Sequence, residues 1–122
     1  MQGCTALATL LNNPSSHIQV LDLNNTEIVN DGDDARIKIL GNAFIGHNTL
    51  HTLKLRRACS MSGATLNIFR AVLSHPRSLL ETLDISFTGI DDEGSICLGN
   101  ALAINTSLRH LQISGNEAIT SA

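Results

Sequence analysis

Large rings are nearly missing from this chain. Trp and Tyr do not occur, Phe occurs three times, and aromatic residues make up 2% of the 122 positions. A compact core normally draws much of its buried area from such rings. Aliphatic side chains must supply nearly all of it here. Cysteine is scarce as well: Cys4, Cys59 and Cys97 are an odd count with no CxxC pair. That excludes a disulfide framework and a thiolate metal cluster, and the three thiols read as small buried hydrophobes in a reducing compartment. No large excess of one charge is present. Eight Lys and Arg against 11 Asp and Glu leave a net charge of -3, which excludes a polybasic nucleic-acid binder. No apolar run approaches the roughly 18 residues of a membrane span. Residues 1–11 also lack the basic start of a secretory leader. The expected setting is therefore intracellular, cytoplasmic in the first instance and organellar as the alternative. Without a leader, the acceptor-type triplets Asn24-Asn25-Thr26 and Asn105-Thr106-Ser107 read as chance matches to a glycosylation pattern.

What is abundant is Leu and Ile: 18 and 12 residues. They are not scattered. Ile18, Leu21, Leu23 and Thr26 share one spacing with Leu50, Leu53, Leu55 and Ala58. The same spacing recurs in Leu80, Leu83, Ile85 and Thr88, and again in Leu108, Leu111, Ile113 and Asn116. The starts lie 32, 30 and 28 residues apart. Each segment reads L-x-x-L-x-L-x-x-(N/T), a leucine-rich-repeat pattern. Alternate strand residues share a face, so Leu21 and Leu23 point inward while Val20, Asp22 and Asn24 point out. Thr26, Thr88 and Asn116 suit a side chain that bonds the turning backbone; Ala58 does not, and Cys59 is its nearest substitute.

Between these segments lie stretches with helical periodicity. In residues 33–46 the apolar face is Ile37, Leu40, Ala43 and Phe44. In 62–74 it is Leu66, Phe69, Val72 and Leu73. In 91–104 it is Cys97, Leu98, Ala101 and Leu102, and in 4–11 it is Leu7, Leu10 and Leu11. Asp33, Asp34, Asp91, Asp92 and Glu93 cluster at helix starts, where carboxylates suit the exposed N–H groups. The repeats alternate in flavour: Leu-Gly-Asn-Ala recurs at 40–43 and 98–101, and a Pro follows the other two helices at 14 and 76.

Alternating strand–helix units of this length resemble ribonuclease-inhibitor-like leucine-rich repeats over residues 4 to 119. The resemblance implies an α/β, right-handed solenoid, with four parallel strands on the concave face and helices on the convex face. It also implies a binding role, usually toward another protein. Relatives include nuclease inhibitors, immune-receptor sensor domains and small-GTPase activators. The chain is expected to form one array, 1–122, of about four repeats, with strands near 18–24, 50–56, 80–86 and 108–114. Nothing cap-like is read at either end, although solenoids normally protect their ends. A fragment of a longer array is therefore expected, or one whose open ends associate with a partner or a second copy.

The concave columns hold the candidate partner-binding residues. One column is Asp22, Lys54, Asp84 and Gln112, in which an acid–base–acid ladder is expected across strands about 4.8 Å apart. The next columns hold Asn24 and Arg56, then Arg57 and Phe87. Arg109 and His110 open the fourth strand segment. Arg and an exposed ring are typical interface anchors, and nothing in the repeat calls for a ring at 87. No catalytic triad, phosphate loop, metal set or cofactor motif is read. The expected function is a protein–protein interaction module or scaffold subunit, not an enzyme. The alternative is a regulator of an enzyme, of the GTPase-activating or nuclease-inhibitor kind. The expected partners are proteins, with neither nucleic acid nor a membrane span.

Overall fold

A computed structural model describes residues 2–13, 17–26, 39, 41–44, 49–58, 60–61, 63–76 and 78–116. In chain order the elements are α1 (Gln2–Asn12), β1 (Val20–Asp22), β2 (Thr52–Lys54), α2 (Gly63–Ser74), β3 (Thr82–Asp84), α3 (Asp92–Ile104) and β4 (His110–Gln112). The strands form one sheet in the order β1-β2-β3-β4, every pair parallel. Leu21, Leu53, Leu83 and Leu111 stand opposite one another across it. Parallel neighbours need a crossover between them. α2 and α3 supply two of these, and they pack against each other.

The strands proper are three residues long, shorter than the expected segments, but the backbone ladder runs on at both ends. The Thr52 N–H donates to the Gln19 carbonyl at 3.0 Å, the Leu23 N–H to Lys54 at 2.8 Å and the Asn25 N–H to Arg56 at 2.8 Å. The same set joins β2 to β3 and β3 to β4. What ends each strand is a left-handed residue in the turn. Asn25 (φ 62°), Arg57 (φ 57°), Phe87 (φ 56°) and Gly115 (φ 71°) occupy one position in all four repeats.

The core lies between the sheet and the helices. Leu53, Leu55, Leu83 and Ile85 from the strands meet Phe69, Val72 and Leu73 of α2, and Leu98 and Ala101 of α3. Full burial of such an aliphatic side chain contributes roughly 1.5–3 kcal/mol. Phe44 and Phe69 are the core's two rings, 6.0 Å apart between centroids. Ladders of aliphatics fill the rest, as the scarcity of aromatics requires.

Most of the helix faces fall as the periodicity predicts. Phe69, Val72 and Leu73 are buried, as are Ala43, Phe44, Leu98 and Ala101. Leu66 and Leu102 pack partly buried against this core, and Cys97 is half-buried with a free thiol. Leu10 is a correction. It is half exposed, while Ala8 and Leu11 are buried and Leu7 packs beside them. At about 100° per residue, a face centred on Leu7, Ala8 and Leu11 turns Leu10 away. Asp91 caps α3, its carboxylate accepting from the Gly94 N–H at 2.7 Å. Asp33, Asp34, Ile37, Leu40 and Cys59 lie outside the described residues.

The polar residues after the first, third and fourth strands do what their position predicts. Thr26 and Thr88 each donate to the carbonyl three residues back, at 2.7 Å. Asn116 does more, because its Oδ1 accepts from the Thr88 and Ile90 N–H groups of the preceding repeat at 3.0 and 3.1 Å. Its amide nitrogen donates to the Ile113 carbonyl at 2.8 Å and the Ile85 carbonyl at 3.2 Å. Asn105 likewise ties one repeat to the previous one, donating to Leu73 at 2.7 Å and accepting from the Leu108 N–H at 2.6 Å.

Candidate interaction face

The register sets the outer columns directly. Asp22, Lys54, Asp84 and Gln112 lie opposite one another, as do Val20, Thr52, Thr82 and His110. Asp22, Arg109, His110 and Gln112 are exposed, and Asn24 and Lys54 half-buried. Asp84 is the exception at 5% exposure.

The expected ladder along Asp22, Lys54 and Asp84 does not close. Among the described residues, no ion pair joins Lys54 to either carboxylate. The reason is local competition. Asp22 accepts from the Asn24 N–H at 3.0 Å, and Asp84 from the Ser86 N–H at 3.0 Å. Such i+2 bonds turn a short acidic side chain along its own backbone rather than across the sheet. Cross-strand polar contacts lie three positions earlier instead. Glu81 has His51 at 4.0 Å on one side and Arg109 at 3.6 Å on the other. These side chains are substantially exposed, so each pair is worth little. Their effect is to occupy Arg109.

The strongest convergence lies where the strands end. Phe87 is 36% exposed. Arg56 and Arg57, from the preceding repeat, place their guanidinium carbons 4.8 and 4.3 Å from the centroid of its ring. The ring rests on Gly115 of the following repeat, where any Cβ would overlap it. The backbone is fixed on both sides. The Arg56 N–H donates to Asn24 Oδ1 at 2.8 Å, the Arg57 N–H to the Ser86 carbonyl at 3.2 Å and the Phe87 N–H to the Ser114 carbonyl at 3.0 Å. Below this, Ser86 and Ser114 share a hydroxyl contact of 3.1 Å.

The structure therefore joins Arg56, Arg57 and Phe87, and ties Asn24 to them through a backbone bond. It leaves Asp22, Lys54, His110 and Gln112 as separate outward groups on the same face. Sequence reasoning does not single out Gly115 or Glu81 for this face. Gly115 has a signal: it shares a column with Asn25, and both residue types favour the left-handed turn. The partners of Glu81 depend on which carboxylates bond locally, and no spacing reveals that.

Pockets also open elsewhere among the described residues. One, of about 140 Å³, lies between α3 and β4 and is lined by Leu98, Leu102, Leu111 and Ile113 among others. A small one lies under the loop before β3, between Phe44, Val72 and the half-buried His75. Among the described residues, no group of three His, Cys, Asp or Glu side chains could hold a metal ion. No described helix is long and apolar enough to cross a membrane.

Comparison with known proteins agrees with this geometry. A family model described as "Leucine Rich repeat" matches residues 78–99 and 105–122. A human protein, "NACHT, LRR and PYD domains-containing protein 13", is 31% identical over 105 residues. The match covers 86% of this chain but only 9% of the human protein. The repeat in the residues, its parallel ladder in the backbone and these matches lead to one family: the chain is a leucine-rich-repeat protein.

Proposed function

We propose that the chain is a protein-interaction module that presents the outer face of its sheet to a protein partner within a larger assembly. The observation that carries this is the contrast between the two faces of each strand. Inward positions are all Leu or Ile, while the accessible outward residues change from repeat to repeat: Asp22, Lys54 and Gln112 in one column, Asn24, Arg56 and Ser114 in the next, with Asp84 and Ser86 of the third repeat buried. Uniform inward residues maintain the scaffold, and varied outward residues give it specificity. The human relative's name places LRR beside NACHT and PYD domains, which supports an array serving as one part of a longer polypeptide. The role is binding, not catalysis, and the setting is intracellular.

The test is capture of a partner by the chain, followed by charge reversal at Asp22, Lys54 and Arg57 in three single variants. At least one reversal should weaken capture about tenfold or more while melting is unchanged. Capture that survives all three reversals would remove the outer face from consideration.

A second reading has its own observation. Leu111 and Ile113 line the pocket beside α3 and are 36% and 41% exposed, although they occupy inward positions. An apolar floor beside an open parallel edge suits a further repeat or a second copy. Sedimentation showing association that rises with concentration and is lost in Ile113→Lys supports that contact; a clean monomer at high concentration opposes it.

A further inference from the structure

We infer that Arg56, Arg57 and Phe87 form a carboxylate receptor, and that the partner segment bound there is an extended acidic stretch of protein. This rests on the interaction-module reading and adds the chemistry of the partner. The two guanidinium carbons lie 4.8 and 4.3 Å from one ring centroid, so they are within about 9 Å of each other. That is inside a Debye length of about 10 Å at ordinary ionic strength, so the two cations repel. Among the described residues neither has an ion-pair partner. The nearest acidic groups of the neighbouring column, Asp22 and Asp84, spend a carboxylate oxygen on a backbone N–H.

Stacking over the ring uses the face of a guanidinium and leaves its in-plane N–H donors free. Those donors match a carboxylate in bidentate geometry. Backbone bonds hold the chain at Arg56, Arg57 and Phe87, the ring is seated on Gly115, and both guanidiniums rest against that ring before any ligand arrives. Preorganised groups lose less entropy on binding. An incoming carboxylate would relieve the repulsion as well as fill the donors. Side chains two residues apart in an extended peptide are about 7 Å apart on one face, a spacing that two cations within this limit can accept. The net charge of -3 favours a short acidic segment over a nucleic acid, because a long polyanion would meet the chain's overall repulsion.

The experiment measures binding of two labelled octapeptides to the full chain by fluorescence anisotropy. One alternates Glu and Ser; the other replaces each Glu by Gln. The Glu peptide should bind roughly tenfold to a hundredfold more tightly than the Gln peptide, the range for lost charged hydrogen bonds. Arg56→Gln and Arg57→Gln should each remove most of that preference, and raising the salt should weaken it. Phe87→Leu should weaken it less, because the charges stay and only their seating is lost. On the unmutated chain, the ring resonances of Phe87 should shift on titration with the Glu peptide, a readout that needs no variant to fold. Equal binding of the two peptides, or no binding of either, sinks the carboxylate assignment. So does displacement of the Glu peptide by an equal concentration of inorganic phosphate. None of these results touches the interaction-module reading, which is tested by capture of the whole partner and with the Asp22 and Lys54 variants, both outside this site.

Discussion

β3 and β4 carry the same repeat pattern, yet one is core and the other is surface. Leu83 and Ile85 in the third repeat correspond to Leu111 and Ile113 in the fourth. Leu83 is fully buried, and Leu111 is 36% exposed. Ser86 is buried and Ser114 exposed. The residues are equivalent and the ladder bonds between them are in place, so local structure is not the difference. β3 has a strand on each side; among the described strands β4 is paired only with β3. In a solenoid the burial of a residue is a property of the next repeat as much as of its own.

The largest expected effect follows from that difference. Leu83→Ala should cost about 2–5 kcal/mol, because a fully enclosed leucine leaves a cavity that its surroundings cannot refill. Leu111→Ala should cost about 1 kcal/mol or less, since much of its surface is already in water. Urea melts of the two variants at matched concentration measure both. Equal losses would mean that β4 is covered in solution, and repeating the Leu111→Ala melt at high dilution would then separate a second copy from a contact within the chain.

Next comes Asn116, which crosses the boundary between the two repeats. It is itself 7% exposed, and the Thr88 and Ile90 N–H groups donate to its side chain. Asn116→Ala leaves both N–H groups without that acceptor in the interior, at a cost of about 2–3 kcal/mol. The second repeat has Ala58 at the equivalent place and does without such a bond. On its other side, the second repeat meets the third through a backbone bond, the Met61 N–H donating to the Thr88 carbonyl at 2.8 Å. The loss in Asn116→Ala should therefore exceed that of any single polar substitution in the first two repeats. Hydrogen exchange at the Thr88 and Ile90 amides localises the effect: both should speed up selectively.

How much of this is legible in the residues follows from range. The strand positions, the inward Leu and Ile ladders, the roles of Thr88 and Asn116 and the Asp91 cap all depend on fixed local spacing, and they lie where the pattern puts them. So does the grouping of Arg56 and Arg57 with Phe87, because parallel strands in register turn sequence columns into neighbours. Three things are not legible. Leu10 turns outward because the packing of the first helix selects Ala8, a residue too small to give a strong periodic signal. The cross-strand polar contacts sit on His51, Glu81 and Arg109 rather than on Lys54, because bonds two residues long take up Asp22 and Asp84. The seating of Phe87 on Gly115 needs the left-handed φ of both turns, which a pattern of polarity does not encode.

The smallest expected effect compares one hydrogen bond in two settings. Thr26 and Thr88 make the same contact, hydroxyl to the carbonyl three residues back at 2.7 Å. Thr26 is exposed and Thr88 buried. Valine keeps the shape and removes the donor in both. In Thr26→Val, the Leu23 carbonyl keeps the Thr26 N–H as a donor at 3.3 Å and water can add to it, so the loss should be within about 0.5 kcal/mol, as for ordinary surface changes. In Thr88→Val, water does not reach the Ile85 carbonyl, and a loss of about 1 kcal/mol is expected. It should not be larger, because the Asn116 amide still donates to that same carbonyl at 3.2 Å. The double variant with Asn116→Ala removes both donors, so its loss should exceed the sum of the single losses. Simple additivity in that cycle would show that the two side chains do not share the Ile85 carbonyl as a common acceptor.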